Sequence, residues 1–197
     1  MTPRICVFCG SSSGIRPSYA AAAALLARSL VARKIPIVYG GGKVGLMGAL
    51  ADAALEAGGE VIGVIPRSLV DKEVAHGRLP DLRIVGSMHE RKAQMAELSD
   101  AFIALPGGYG TFEEFCEILT WTQLGLQRKP CGILNVEGYY DRLLGLFDHA
   151  VAEGFLKPVH RGMVVSDTDP ESLIERLLAY HAPVADKWTD VKWIDAT

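Results

Sequence analysis

Three glycine-rich stretches have the composition to hold an oxyanion: Gly10-Ser11-Ser12-Ser13-Gly14, Gly40-Gly41-Gly42-Lys43-Val44-Gly45 and Pro106-Gly107-Gly108-Tyr109-Gly110-Thr111. Each follows a short apolar run and precedes a helix-length segment. Glycine has no Cβ, so backbone N–H groups can come close to a phosphate. A helix N-terminus adds partial positive charge. One such turn alone would merely permit a tight strand-to-helix connection; three in one chain make a phosphate site the leading explanation. The second matches G-x-G-x-x-G at Gly40, Gly42 and Gly45, which invites a dinucleotide reading. Two features oppose it. The motif follows the second strand, and the acid about 20 residues on, Glu60, precedes its strand, whereas a ribose-binding acid belongs at the far end. No G-K-[ST] occurs, so a Walker A loop is absent. The expected ligand is a mononucleotide-sized phosphate ester.

Charged residues stand near these loops. Arg91 and Lys92 fall in the first turn of a segment opened by Ser87, where cations oppose the helix dipole. That is better tolerated when the cations serve a ligand, and arginine offers a planar fork of donors. The plainer alternative is a solvated helix start. Glu114, three residues after Thr111, could close a capping box with it, stand as a carboxylate beside the bound ester, or do both. Glu113 and Glu117 read as a solvated face. Thr120, about two turns beyond Thr111, is expected to line the same groove. The four cysteines include a C-x-x-C at Cys6 and Cys9. Cys116 and Cys131 are too far apart to complete a zinc site. Residues three apart on a strand face opposite ways, so these read as small buried hydrophobes. No metal is expected. The five histidines are scattered, with His89 alone near the site.

These residues must be positioned by alternating elements. Strands are predicted over 4–9, 36–39, 60–65, 82–85, 101–105, 131–134 and 163–166, and helices over 18–33, 44–57, 88–98, 112–124, 139–153 and 171–181. Several strands are apolar almost throughout, as in Val61-Ile62-Gly63-Val64-Ile65, which suits a sheet covered on both faces. The alternation predicts an α/β fold with a Rossmann-like, doubly wound parallel sheet in a single domain. Helix ends agree: Ser87 and Glu90 have capping-box spacing, Gly154 follows a helix end, and Pro170 suits a first turn. The domain is read as 1–182, with a tail at 183–197 that carries Trp188 and Trp193.

The chain has 197 residues, 49% of them hydrophobic, and a formal charge of -3 with its cations spread along its length. That excludes the basic patch of a nucleic-acid binder. No apolar run approaches the roughly 20 residues of a membrane helix, and no signal peptide is legible. A cytoplasmic location is expected.

Taken in order, the motifs resemble a known family. Pro106 to Glu114 fits P-G-G-x-G-T-x-x-E, Met88-His89-Glu90-Arg91-Lys92 precedes it, and Gly40-Gly41-Gly42-Lys43-Val44-Gly45-Leu46-Met47-Gly48 lies upstream. Together they resemble the LONELY GUY (LOG) family of cytokinin riboside 5′-monophosphate phosphoribohydrolases, many once labelled lysine decarboxylases. The resemblance runs from Ile5 to about Val165. It implies a homodimer that uses no cofactor and hydrolyses the N-glycosidic bond of an adenosine 5′-monophosphate. N6-prenylated adenine would be preferred, AMP itself being left open, with free base and ribose 5-phosphate as products. Carried over by motif, Arg91 and Glu114 would be the catalytic pair. Gly108, Tyr109, Gly110 and Thr111 would hold the phosphate, and Lys92 and Thr120 would contact substrate. Glu73 would match an upstream glutamate that contacts the nucleotide, although Leu69-Val70-Asp71-Lys72 before it departs from the family pattern. Gly41, Gly42 and Ser11 from the other loops complete the expected binding set. Two alternatives stay open: a nucleotide binder without catalysis, and a pyridoxal phosphate-dependent lysine decarboxylase with Lys43 as its Schiff base.

Overall fold

Seven short strands, five of them almost wholly apolar, pair into one sheet: β1 (Ile5–Phe8), β2 (Ile37–Tyr39), β3 (Val61–Pro66), β4 (Asp81–Val85), β5 (Ala101–Ala104), β6 (Cys131–Leu134) and β7 (Val164–Asp167). The computed structural model describes residues 2–72 and 74–183. Every strand pair is parallel, in the order β4-β3-β2-β1-β5-β6-β7. Every residue of β1, β2, β3, β5 and β6 is buried, whereas the edge strands β4 and β7 are only partly covered. That is the burial expected of a sheet with helices on both faces.

One face is covered by α1 (Pro17–Ala32), α2 (Gly45–Glu56) and α8 (Pro170–Leu178), which pack Leu26, Leu50 and Leu173 over Ile5, Val7 and Ile103. The other is covered by α4 (Met88–Glu97), α5 (Tyr109–Gln123) and α6 (Asp141–Ala152), with Met95, Phe115 and Leu143 over Cys6, Val38 and Phe102. Cys6 and Cys9 belong to opposite faces, and all four thiols are free. Burial pushes the thiols up, that of Cys131 to about 12. The strand order reverses between β1 and β5: Ile5 pairs with Ile37 on one side and Ala101 on the other. The chain leaves β1 for α1 on one face and β5 for α5 on the opposite face, so a crevice opens between the two loops.

The expected elements are present, with ends displaced by a few residues. Two four-residue helices, α3 (Arg67–Val70) and α7 (Pro158–Arg161), and a 3-10 turn at Val136–Gly138 were not anticipated. One turn is too short to carry a helical period. Gly154, at φ 79°, closes α6, and Pro170 opens α8 behind an Asp169 cap. Two expected caps need correction. Ser87 accepts from the Glu90 amide at 3.1 Å, but the Glu90 carboxylate returns to the Gly86 amide at 2.7 Å and not to Ser87. Thr111 does not cap α5. The helix starts at Tyr109 with Gly108 as its cap, so Thr111 and Glu114 both lie inside it. Tyr109 and Gly110 read as loop but belong to the helix, and Gly108 before them is extended. The tail's tryptophans, Trp188 and Trp193, lie outside the described residues. Among the described residues, no helix is long and apolar enough to cross a membrane.

Candidate active site

Arg91 arises from the first turn of α4 and crosses beneath the C-terminal ends of β2 and β3. Its Nε donates to the Val64 carbonyl at 3.0 Å and its Nη2 to the Gly40 carbonyl at 3.3 Å. Its Nη1 donates to Glu114 Oε1 at 2.6 Å. Both side chains are buried, Arg91 at 7% and Glu114 at 7% exposure. A buried charge pair needs further hydrogen bonds to be tolerable, and the Val64 and Gly40 carbonyls take two of the guanidinium's four other donors. Gly40 is glycine for a steric reason: a Cβ there would overlap Arg91 Nη2. Burial raises the Glu114 pKa, with Arg91 opposing, and the net direction is up.

Lys92, the next residue, donates from Nζ to Glu113 and to Glu117, the latter at 3.1 Å. Burial alone would lower its pKa, but the two carboxylates more than offset this and the net shift is upward. Glu113 is exposed, as the sequence suggested, and Glu117 only partly so, but both also tie α5 to α4. A signal was available. Like charges at i and i+4 repel, and a cation between them removes the conflict.

The three glycine loops meet at Gly10. Its amide donates to the Pro106 carbonyl at 3.0 Å, and its own carbonyl accepts from Leu46 at 3.0 Å and Met47 at 3.3 Å. Gly45, at φ 62°, abuts the Ser11 backbone, where a Cβ would collide. Between the first and third loops lies a cavity of about 300 Å³ lined by Ser11, Ser12, Ser13, Gly108, Tyr19 and Tyr139, among others. The Tyr139 hydroxyl donates to the Gly107 carbonyl at its edge. Arg91 and Glu114 do not line this cavity. They sit across the Gly10–Gly107 contact, on the α4 and α5 face of the sheet. The N-terminus of α5 borders both regions. Its cap, Gly108, has no side chain, its first turn carries no acid, and Tyr109 is 93% exposed. Thr111 is buried, with its hydroxyl against Gly107.

The remaining expected residues are placed differently. Gly41 and Gly42 are buried under the segment 74–76: the Gly41 carbonyl accepts from His76 at 2.9 Å, and Gly42 forms an antiparallel bridge with Ala75. Lys43 is exposed, with its amide bound to the Val74 carbonyl at 2.9 Å. Glu73 lies outside the described residues. Thr120 is far along α5, donating to the Cys116 carbonyl at 2.8 Å. It lines a separate cavity of about 260 Å³ with Leu119, Phe147, Phe155 and His160, between α5, α6 and α7. The structure thus brings together Arg91, Glu114, Lys92 and the start of α5. It sets Ser11 in the adjoining cavity and Thr120 elsewhere on the subunit. Glu60 lies at the opposite end of the sheet, where its carbonyl accepts from Ile37, so it is not a ribose-binding acid for the glycine loops. Among the described residues, no group of three His, Cys, Asp or Glu side chains clusters as a metal site would require.

Comparison with known proteins bears on this geometry. A family described as "Possible lysine decarboxylase" matches residues 47–177. A rice (Oryza sativa subsp. japonica) protein named probable cytokinin riboside 5′-monophosphate phosphoribohydrolase LOGL9 is 58% identical over 177 residues, covering 90% of this chain and 78% of the rice protein. The chain belongs to the LOG family. Arabidopsis thaliana LOG5, named cytokinin riboside 5′-monophosphate phosphoribohydrolase, is a further LOG relative, 54% identical over 183 residues with 93% and 80% coverage. The LOG fold is shared more widely. A molybdenum cofactor binding protein from Rippkaea orientalis superposes with TM-score 0.70 at 22% identity, covering 91% of this chain and 97% of that one. The molybdenum cofactor carrier protein of Chlamydomonas reinhardtii gives 0.69 at 22%, covering 91% and 100%. At such identities the likeness concerns the fold alone. The motif resemblance read from the sequence is borne out, and in this LOG chain the motif residues Arg91 and Glu114 are the two that form the buried pair.

Proposed function

We propose that this chain hydrolyses the N-glycosidic bond of N6-prenylated adenosine 5′-monophosphates, with AMP as the other candidate, releasing free base and ribose 5-phosphate. The reading rests on the buried Arg91–Glu114 pair beside an uncapped helix start. The names of relatives 50–58% identical to the chain support it.

In this reading the 5′-phosphate lies against the first-turn amides of α5, from Gly108 to Thr111, where partial positive charge and free N–H groups favour an anion. The exposed Tyr109 ring stands at the mouth. Cleavage passes through an oxocarbenium-like state with positive charge growing on the ribose. The C–N electron pair leaves with the base, water adds to C1′, and a proton ends on the departing base. Glu114, ionised, stabilises the developing charge and orients the water. Arg91 holds that carboxylate in place. Three of its five donors are used internally, which leaves two for the phosphate or the departing base. Binding energy from the phosphate half is then available at the bond being broken. Lys92 braces α4 against α5, and substrate reaches it only at the expense of its bonds to Glu113 and Glu117.

The subunit is proposed to act as a homodimer in the cytoplasm. No residue of α6 is buried, and Leu146 on α6 and Phe155 just after it are 58% and 88% exposed. An apolar face of this kind fits a second copy, and four free cysteines fit a reducing compartment. The lysine decarboxylase alternative finds no support in Lys43, which is exposed.

Incubation with isopentenyladenosine monophosphate and with AMP, followed by chromatography for free base, tests the reading. Release of base from either substrate is expected, and faster release ranks the two. Tight binding of both without release would leave a nucleotide carrier in place of the enzyme.

A further inference from the structure

His76 is 4% exposed, and the chemistry above makes no use of it. Its Nε2 lies 3.0 Å from Asp52 Oδ1 on α2, while its Nδ1 is buried with no hydrogen-bond partner. With Asp52 accepting, Nε2 donates, and Nδ1 is left without a partner. An apolar side chain would fill the same space without leaving a buried polar atom unsatisfied. A histidine kept there under that penalty points to the bond it does make.

The consequences of that bond run toward the active pair. The His76 amide donates to the Gly41 carbonyl at 2.9 Å, Ala75 bridges Gly42, and the Val74 carbonyl accepts from Lys43 at 2.9 Å. The segment 74–76 therefore lies against the second glycine loop, joined to it by backbone hydrogen bonds and a single β-bridge. The Tyr39 hydroxyl holds the same loop from beneath through the Gly42 carbonyl at 3.2 Å. One peptide before Gly41, the Gly40 carbonyl accepts from Arg91 Nη2 at 3.3 Å. Glycines at 40, 41 and 42 have little intrinsic stiffness, so the direction of that carbonyl depends on what pins the loop. Asp52 is the outer anchor: it also takes Arg78, and these two partners hold its carboxyl below the usual range, against a burial effect that would raise it.

We infer that His76 is a positioning residue for Arg91: its ring, fixed by Asp52 on α2, sets the glycine loop whose Gly40 carbonyl aims the guanidinium at Glu114. This rests on the reaction proposed above. The test compares His76→Leu, which removes the donor, with His76→Gln, which can restore an N–H toward Asp52. Two readouts are taken on folded protein. The first is kcat and KM for base release. His76→Leu is expected to lower kcat roughly 10- to 100-fold, the scale of a misplaced catalytic group, with KM changed less than about twofold, and His76→Gln to recover most of the loss. Asp52→Asn added to His76→Leu is expected to cost little more, because both act through one bond. The second readout is the Arg91 Nε–H signal by NMR in the unliganded protein, expected to shift in His76→Leu and return in His76→Gln. A His76→Leu protein with normal kcat, or an unmoved Arg91 signal, overturns the inference. Should the wild type release no base at all, the proposed reaction falls, and the Arg91 signal still decides the role of His76.

Discussion

Arg91 and Glu114 meet at 2.6 Å although they are 23 residues apart, on two helices that leave different strands. The sheet holds this pair by its rim: the guanidinium is pinned to the ends of β2 and β3 through Gly40 and Val64. Glu114 rides on α5, which springs from β5. A change at any of these supports should be felt at the carboxylate.

Glu114→Gln is the cleanest removal of charge. The amide oxygen still accepts from Arg91, so the fold should stand, while turnover should fall by about a thousandfold. Base release by chromatography and a thermal melt on the same sample check both halves. A variant that melts early instead would give Glu114 a purely structural part.

Arg91→Ala leaves Glu114 buried without its counter-charge. Breaking such a pair costs about 3–5 kcal/mol, so both melting temperature and activity should drop. Arg91→Lys should rescue neither fully, because a single ammonium cannot reach Val64, Gly40 and Glu114 in the geometry of the planar fork. Urea midpoints and kcat/KM for the two variants decide it.

The pH dependence follows from the Glu114 carboxyl, which burial pushes upward against the pull of Arg91. The ionised form does the chemistry, so kcat should rise with pH through a midpoint above the ordinary glutamate value of about 4.3. The stability sign is opposite. A raised folded-state pKa stabilises the protonated form below it, and that contribution is lost as pH rises through it. Glu114→Gln mimics the protonated form. Its melting temperature should match wild type at low pH and exceed it increasingly as pH rises.

Gly40→Ala places a methyl where Arg91 Nη2 now lies. The guanidinium must then shift by a fraction of an ångström or more, and a displacement of that order can cost on the order of 100-fold in rate. Comparing turnover of Gly40→Ala with Gly145→Ala in α6, whose Cβ would meet nothing within 4 Å, separates this clash from a general effect of losing glycine.

Phe155→Glu tests the proposed assembly. Phe155 is 88% exposed beside Leu156 and α7, so a charge there should not disturb the subunit but should split a dimer that uses this face. Sedimentation velocity should give one dimeric species for wild type and a monomer for the variant.

Much of the fold was legible because the strands announce themselves. Five of the seven are buried at every position, and Val61 to Ile65 could hardly be read otherwise. Elements one turn long, α3 and α7, left no periodic trace. The start of α5 misled because Tyr109 and Gly110 look like a loop, and the capping box drawn at Thr111 was displaced with it. For the site, motif spacing picked out Arg91 and Glu114 but not what holds them. Gly40 and Val64 contribute carbonyls, which every residue has, from 51 and 27 positions away. No side-chain pattern records such a partner. The brace formed by Lys92 with Glu113 and Glu117 was hidden for another reason: each residue is unremarkable alone, and only the approach of α4 to α5 gives them a common role.

The pairing of β1 with β5 also bears on how the molecule is made. Arg4 donates to Asp100 across 96 residues of chain, so one flank of the first strand waits for its neighbour until more than half of the polypeptide has left the ribosome. Until then that flank presents open backbone groups, a ready template for intermolecular pairing, and the closure is of the long-range kind that slows folding. Synthesis rate and chaperone supply, more than final stability, should therefore govern how much of this protein is recovered intact from a cell.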